Sequence, residues 1–133
     1  MSDASPDALV FIAYARADIA RVEPVAVALR ERGYTVDFDA ATTHGASNYV
    51  HETQQALRHA SALIVFLSAA AQRSPWVESE TRAFLSLLAR EPGHTLITVR
   101  LDDTPLPPSL VGYAAVHGLT ASPTDIAGAI VYL

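Results

Sequence analysis

The sequence contains no cysteine and no lysine among its 133 residues. Without cysteine the protein has no disulfide bond, thiol nucleophile or cysteine-ligated metal, which is compatible with a reducing compartment. The nine basic residues are all arginines, scattered from Arg16 to Arg100 without a run. Together with a formal net charge of −5, this distribution argues against a nucleic-acid-binding surface, which needs clustered cations.

Long apolar runs are also missing. No run approaches the roughly 18 residues that a membrane-spanning helix needs, and residues 1–7 lack the basic and apolar segments of a signal peptide. We therefore expect a cytoplasmic protein that does not insert into membranes, with residues 1–7 as a disordered start. The length fits one domain, placed at 1–133, and the apolar helical pattern at its end suggests a domain taken from a longer protein.

Apolar runs of strand length alternate with segments of helical periodicity along the chain. This alternation is typical of a parallel sheet covered by helices on both faces. The expected strands are 8–14, 34–38, 62–67, 95–99 and 113–119. We predict an α/β domain of the flavodoxin-like type, with three layers and a central parallel sheet of about five strands in the order 2-1-3-4-5.

Four helices are expected between and after these strands. Gly33 is placed to end the first, and Ser74 with Pro75 forms the start of the third, as cap and first helical residue. The expected inward-facing residues are, helix by helix, Val22, Val25, Ala26 and Leu29; Val50, Leu57 and Ala60; Val77, Thr81, Phe84 and Leu88; Ile126, Ile130 and Leu133. Residues 39–48 lack apolar periodicity and are predicted to be a mobile loop.

Ligands of open parallel sheets bind beyond the carboxyl ends of the strands, where the winding direction reverses. In the predicted order this point lies between strands 1 and 3, so the loop after Tyr14 faces the loop after Leu67. The third helix begins there. Its residues Trp76 and Glu80 are one turn apart and share a face, which places an aromatic ring and a carboxylate at the crevice.

Other kinds of site find little support. The five histidines show no metal-ligand spacing, so no metal site is expected. Ser68 and Ser74 lack the GxSxG context of a hydrolase nucleophile, and no glycine-rich phosphate loop follows the first strand. Glu78 points away from Glu80 and is expected at the surface, where it can pair with Arg82.

Three segments resemble the Toll/interleukin-1 receptor (TIR) family, within a likeness that runs from Ala8 to Leu133. Residues 9–18 resemble the family's first box, and residues 38–45 resemble the end of its second strand and the following loop. Residues 74–80, SPWVESE, are similar to the Ser-x-Trp-Cys-x-x-Glu signature. The departures are Ala13 and Ala15 in place of serines, and Val77 in place of cysteine.

The resemblance implies an enzyme that cleaves the bond between nicotinamide and ribose in NAD+, as a glycohydrolase or a cyclase. Glu80 occupies the position of the catalytic glutamate. The expected substrate-binding residues are Tyr14, Ala15, Arg16, Asp39, Ser47 and Trp76. NAD+ is then the substrate, and no cofactor is expected.

One carboxylate suffices for this chemistry. Nicotinamide is cationic on the ribose, so it leaves as a neutral base without a general acid, and the barrier lies in the oxocarbenium-like ribose. Glu80 would hold the ribose hydroxyls and stabilise that positive charge, while Arg16 contacts the pyrophosphate and Trp76 excludes water. We expect Glu80→Gln to remove cleavage and leave thermal stability nearly unchanged.

The resemblance further implies homotypic self-association, a sensor domain or protein supplied elsewhere, and a role in bacterial antiviral defence. Two alternatives remain open. One is a non-catalytic TIR adaptor that binds other TIR domains, and the other is an enzyme like the nucleoside ribosyltransferases, which share the fold class and a catalytic glutamate. A response-regulator receiver is excluded, because strand 3 ends in Leu67-Ser68 without an aspartate and the chain has no lysine.

Overall fold

A computed structural model describes residues 9–37, 60–91, 93–119 and 121–131. Four sequence predictions lie outside these residues. They concern the start at 1–7, the loop at 39–48 with Asp39 and Ser47, the helix expected around Val50 and Leu57, and the inward position of Leu133.

Five parallel strands form one sheet in the order β2-β1-β3-β4-β5, which confirms the predicted flavodoxin-like fold. The strands are β1 (Leu9–Ala13), β2 (Thr35–Asp37), β3 (Ala62–Leu67), β4 (Thr95–Arg100) and β5 (Ala114–His117). The described helices are α1 (Ile19–Glu31), α2 (Ala69–Gln72), α3 (Pro75–Arg90) and α4 (Pro123–Val131). Short 3-10 turns occupy Arg16–Asp18 and Pro108–Leu110.

The core has two parts, one on each face of the sheet, because successive residues of a strand point to opposite faces. Helices α1 and α4 cover one face, where Val25, Leu29 and Ile126 pack against the sheet. Helix α3 covers the other, where Val77 and Phe84 pack with residues of β1 and β3. In the described part of the chain, no helix is long and apolar enough to cross a membrane.

Two details of the helices differ from the sequence predictions. Leu87 is buried on α3, whereas Leu88, the predicted inward residue, is only half-buried, because the buried stripe continues from Phe84 in a step of three rather than four. Helix α2 was not predicted. It has only four residues and depends on a cap, since the Ser68 hydroxyl accepts a hydrogen bond from the Ala71 amide.

Arg21 of α1 anchors the carboxyl ends of β4 and β5. Its guanidinium donates hydrogen bonds to the carbonyl oxygens of Leu101 at 2.6 Å and Gly118 at 2.7 Å. Gly118 fits closely at this edge, since a Cβ atom there would lie 3.1 Å from the carbonyl oxygen of Arg100, and a larger residue would need its neighbours to shift slightly. This edge of the sheet is therefore held in place by a contact between residues that are distant in sequence.

Candidate functional site

A side-chain hydrogen bond connects the loops that follow β1 and β3, at the point where the winding direction of the sheet reverses. The Ser68 hydroxyl, which follows β3, donates to Asp18 Oδ2 at 2.5 Å, and Asp18 ends the turn that follows β1. The same hydroxyl accepts from the Ala71 amide at 3.0 Å. Ser68 is buried, so this bond sets the separation of the two loops that flank the predicted crevice.

Local sequence sets where α3 begins. As predicted, Ser74 caps the helix by accepting from the Val77 amide at 3.2 Å, and Pro75 takes the first helical position. Because the start is fixed, the orientation of every later side chain on α3 follows at 3.6 residues per turn. Glu80 then falls in the second turn, on the side that packs towards the sheet.

Glu80 is the unusual residue of this helix. Its side chain is buried, with only 3% of the residue exposed, although glutamate is almost never buried without a partner. Among the described residues neither carboxyl oxygen has a hydrogen-bond partner. Burial, and secondarily the negative charge of Asp37, raises the pKa of Glu80 to about 9. The neutral form therefore predominates at neutral pH in the free protein.

Asp37 was not among the sequence-predicted site residues. It ends β2, at the same carboxyl edge of the sheet, and its charge acts on Glu80. The predicted strand order contained a signal that could have revealed it, because a polar residue closing β2 must lie at the edge where ligands of this fold bind.

The predicted site residues fall into three groups in the structure. Trp76 is half-buried and lies one turn before Glu80 on α3, while Ala15 is buried in the same part of the core as α3. Arg16 is exposed on the turn after β1. Tyr14 is buried in the part of the core that lies on the α1 and α4 face.

Glu78 behaves as the sequence predicts. It is exposed and forms an ion pair with Arg82, with Glu78 Oε1 and Arg82 Nη2 3.1 Å apart. In the described ranges, no group of three or more histidine, aspartate or glutamate residues could hold a metal ion. At this edge of the sheet, Glu80 is the titratable group that combines burial with a strongly raised pKa.

Fold and site together define a flavodoxin-like α/β domain with a buried glutamate near its carboxyl edge. The TIR-domain family profile matches residues 10–128. The chain therefore belongs to the TIR-domain family. No curated protein matches the sequence significantly.

Solved structures of several kinds share the fold. The TIR domain of the Toll-related receptor TRR-2 from Hydra magnipapillata superimposes with a TM-score of 0.65 at 16% identity, covering 80% of this chain and 82% of that chain. The CMP N-glycosidase BcmB of Clostridium botulinum superimposes with a TM-score of 0.66 at 18% identity, covering 94% of this chain and 99% of that chain. The TIR domains of the activated Roq1 resistosome superimpose with a TM-score of 0.55 at 18% identity, covering 72% of this chain and 60% of that chain. At these identities the likeness establishes the fold alone.

Proposed function

We propose that this TIR domain cleaves the N-glycosidic bond between nicotinamide and ribose in NAD+, with Glu80 as the catalytic residue. The observation that carries the proposal is the burial of Glu80 without a hydrogen-bond partner for either oxygen among the described residues. A buried glutamate with a purely structural role would have its oxygens satisfied, because an unpaired buried polar group costs about 1–3 kcal/mol. Strongly perturbed carboxyl groups in a crevice are typical of functional sites.

The charge state of Glu80 favours a cationic substrate. With its pKa near 9, the carboxyl group is neutral until a positive charge approaches. The nicotinamide ribose of NAD+ brings that charge, and an opposite charge within about 4–6 Å favours the ionised carboxylate. Substrate binding would thus release a proton and create the anion that stabilises the oxocarbenium-like ribose.

Other parts of the site have supporting roles in this proposal. Trp76, one turn from Glu80, would cover the reacting ribose, and exposed Arg16 would contact the pyrophosphate. Asp39 and Ser47 remain proposed substrate contacts in the segment after β2. Self-association, a separate sensor and a role in antiviral defence also remain proposals, and the Roq1 resistosome is an example of TIR domains within an assembly.

A second candidate is cleavage of a nucleoside monophosphate. The likeness to the CMP N-glycosidase spans 94% of this chain and 99% of that chain, which favours this candidate over other nucleotide chemistry. A pyrimidine leaves poorly unless it is protonated, and a neutral Glu80 would be able to donate that proton as a general acid. The two candidates therefore need opposite protonation states of the same residue.

The deciding experiment incubates the protein at high concentration with NAD+ and, separately, with CMP, and measures free nicotinamide and free cytosine by chromatography. We expect nicotinamide from the parent protein, none from Glu80→Gln, and parent-like release from Glu78→Gln. The last variant is the matched control, because it makes the same substitution two residues away at an exposed position. Cleavage that survives in Glu80→Gln contradicts the site. Cytosine release in place of nicotinamide selects the second candidate, and release of neither from assembled protein supports a non-catalytic adaptor.

A further inference from the structure

A cleft of about 370 Å³ lies on the α3 face of the sheet, between α3 and the connection from β4 to β5. Most of its walls are apolar. The apolar side chains come from β3, α2, α3 and the 3-10 turn before β5: Val65, Leu67, Ala71, Val77, Leu85 and Leu110.

The cleft exists because the β4 to β5 connection is not helical. Parallel sheets are normally covered by helices on both faces. Here residues 101–113 contain prolines at 105, 107 and 108 and form only the 3-10 turn Pro108–Leu110. This turn is too short to cover the whole sheet face beside α3, and Val65 and Leu67 of β3, although almost fully buried, line the cleft.

The cleft is distinct from the Glu80 site. Helix α3 presents Val77, Thr81 and Leu85 to the cleft, and these residues follow one another at intervals of four. Glu80 does not line it, and at 3.6 residues per turn it lies about 140° around the helix from Leu85. Glu80 is therefore not among the α3 residues that line the cleft.

Polar groups are concentrated at the rim. The side chain of Arg82 is 76% exposed and gives one hydrogen bond, at 3.1 Å, to Glu78 Oε1. A guanidinium has five N–H donors in a planar arrangement, so the bond to Glu78 leaves donors for another acceptor. Ser109, which is exposed, places a hydroxyl on the wall contributed by the β4 to β5 connection. Gln72 lies at one end, where its amide donates to the Pro105 carbonyl oxygen at 3.4 Å.

We propose that this cleft binds a small, mainly apolar molecule that carries one carboxylate. The apolar body lies against β3 and α3, and the carboxylate pairs with the free donors of Arg82 at the rim. The size and lining suit such a ligand, since small-molecule sites are typically about 300–1,000 Å³ and combine apolar walls with a few placed polar groups. Two charged residues line the cleft, Arg82 and its ion-pair partner Glu78, and the ligand carboxylate is assigned to the guanidinium donors that Glu78 leaves unused.

The probes are decanoate and decanol, which share an apolar chain and differ in charge. Their binding to the full chain is measured by titration calorimetry below the concentration at which decanoate forms micelles. The protein has a single tryptophan, Trp76, which directly precedes the cleft residue Val77. Its fluorescence supplies a second readout of occupancy that does not depend on any enzymatic activity.

Two variants test where the probes bind and whether Arg82 recognises the carboxylate. Ser109→Phe puts an aromatic ring into the cleft from an exposed position, and we expect it to abolish binding of both probes. Ser86→Phe makes the same change at an exposed position of α3 outside the cleft, and should bind both probes like the parent. Arg82→Gln should lower the affinity for decanoate about tenfold, the loss expected for one charge-assisted hydrogen bond, and leave the affinity for decanol unchanged.

Each result decides one part of the proposal. If Ser109→Phe binds decanoate with the affinity of the parent, the cleft is not the binding site. Affinity that is equal in Arg82→Gln and the parent overturns the carboxylate as the recognised group. Each variant is checked for a parent-like circular dichroism spectrum, and the Ser86→Phe control identifies any general effect of an added aromatic ring.

Discussion

Ser68 Oγ lies 2.5 Å from Asp18 Oδ2, so a single hydrogen bond connects the loops that follow β1 and β3. The two residues are 50 positions apart in sequence. The bond crosses the switch point of the sheet, where flavodoxin-like domains bind their ligands. It therefore links the stability of the fold to the geometry of the candidate site.

Removing this hydroxyl should be costly. Ser68→Ala deletes the bond to Asp18 and the cap of α2 together, and we expect the free energy of unfolding to fall by about 2–4 kcal/mol. Urea denaturation measures the change. Ser122→Ala is the matched control, because Ser122 also accepts from an amide three residues on, that of Asp125, but is exposed. Equal losses in the two variants would show that the bond to Asp18 contributes nothing.

Glu80 should destabilise the free protein at neutral and alkaline pH. Its pKa is about 9 when folded and near 4.5 when unfolded, so its destabilising effect is absent below about pH 4.5 and grows until about pH 9. Glu80→Gln removes this loss, and at pH 7 we expect a gain on the order of 3 kcal/mol. This replaces the sequence-based expectation of an unchanged stability.

Unfolding free energies of the parent and Glu80→Gln, measured from pH 5 to 8, test this prediction. The difference should increase steadily with pH. Glu78→Gln, measured alongside, should show no such trend, because Glu78 is exposed. A difference between the parent and Glu80→Gln that stays constant over this range would show that Glu80 is not held neutral in the folded protein.

The pH dependence of catalysis should have a defined direction. If ionised Glu80 acts on NAD+, kcat/KM rises about tenfold per pH unit below the pKa of the free protein, which is about 9. Asp37→Asn removes a negative charge that raises this pKa, so its profile should shift to lower pH. Initial rates of nicotinamide release at subsaturating NAD+ give both profiles. A parent profile that falls with increasing pH would instead indicate that neutral Glu80 acts as an acid.

Activity should depend on protein concentration. Family resemblance implies a site completed between neighbouring copies, and the sequence of residues 39–48 contains no apolar residue larger than alanine with which to pack. Association must overcome several kcal/mol of lost translational and rotational freedom, which a dilute monomer does not do unaided. Specific activity should therefore rise across a wide concentration series. A flat series from a protein that stays monomeric by light scattering would place the whole site in one chain.

Local patterns were enough to predict much of the fold and part of the site. Apolar runs predicted the central strand β3 with its observed limits, and Ser74 with Pro75 predicted the start of α3. These features succeed because strand and helix signals act over a few neighbouring residues. The same local argument failed at Leu88, since periodicity alone does not distinguish steps of three from steps of four.

By itself, the sequence determined the order of the elements, the parallel sheet, the TIR signature and the choice of Glu80 as the candidate catalytic residue. Only the tertiary structure decided the environment of that residue. The burial of Glu80, the approach of Asp37 and the bond between Ser68 and Asp18 depend on contacts between distant parts of the chain. No local pattern encodes such contacts, and they set the pKa of Glu80 because a carboxyl group responds to the water and charge around it.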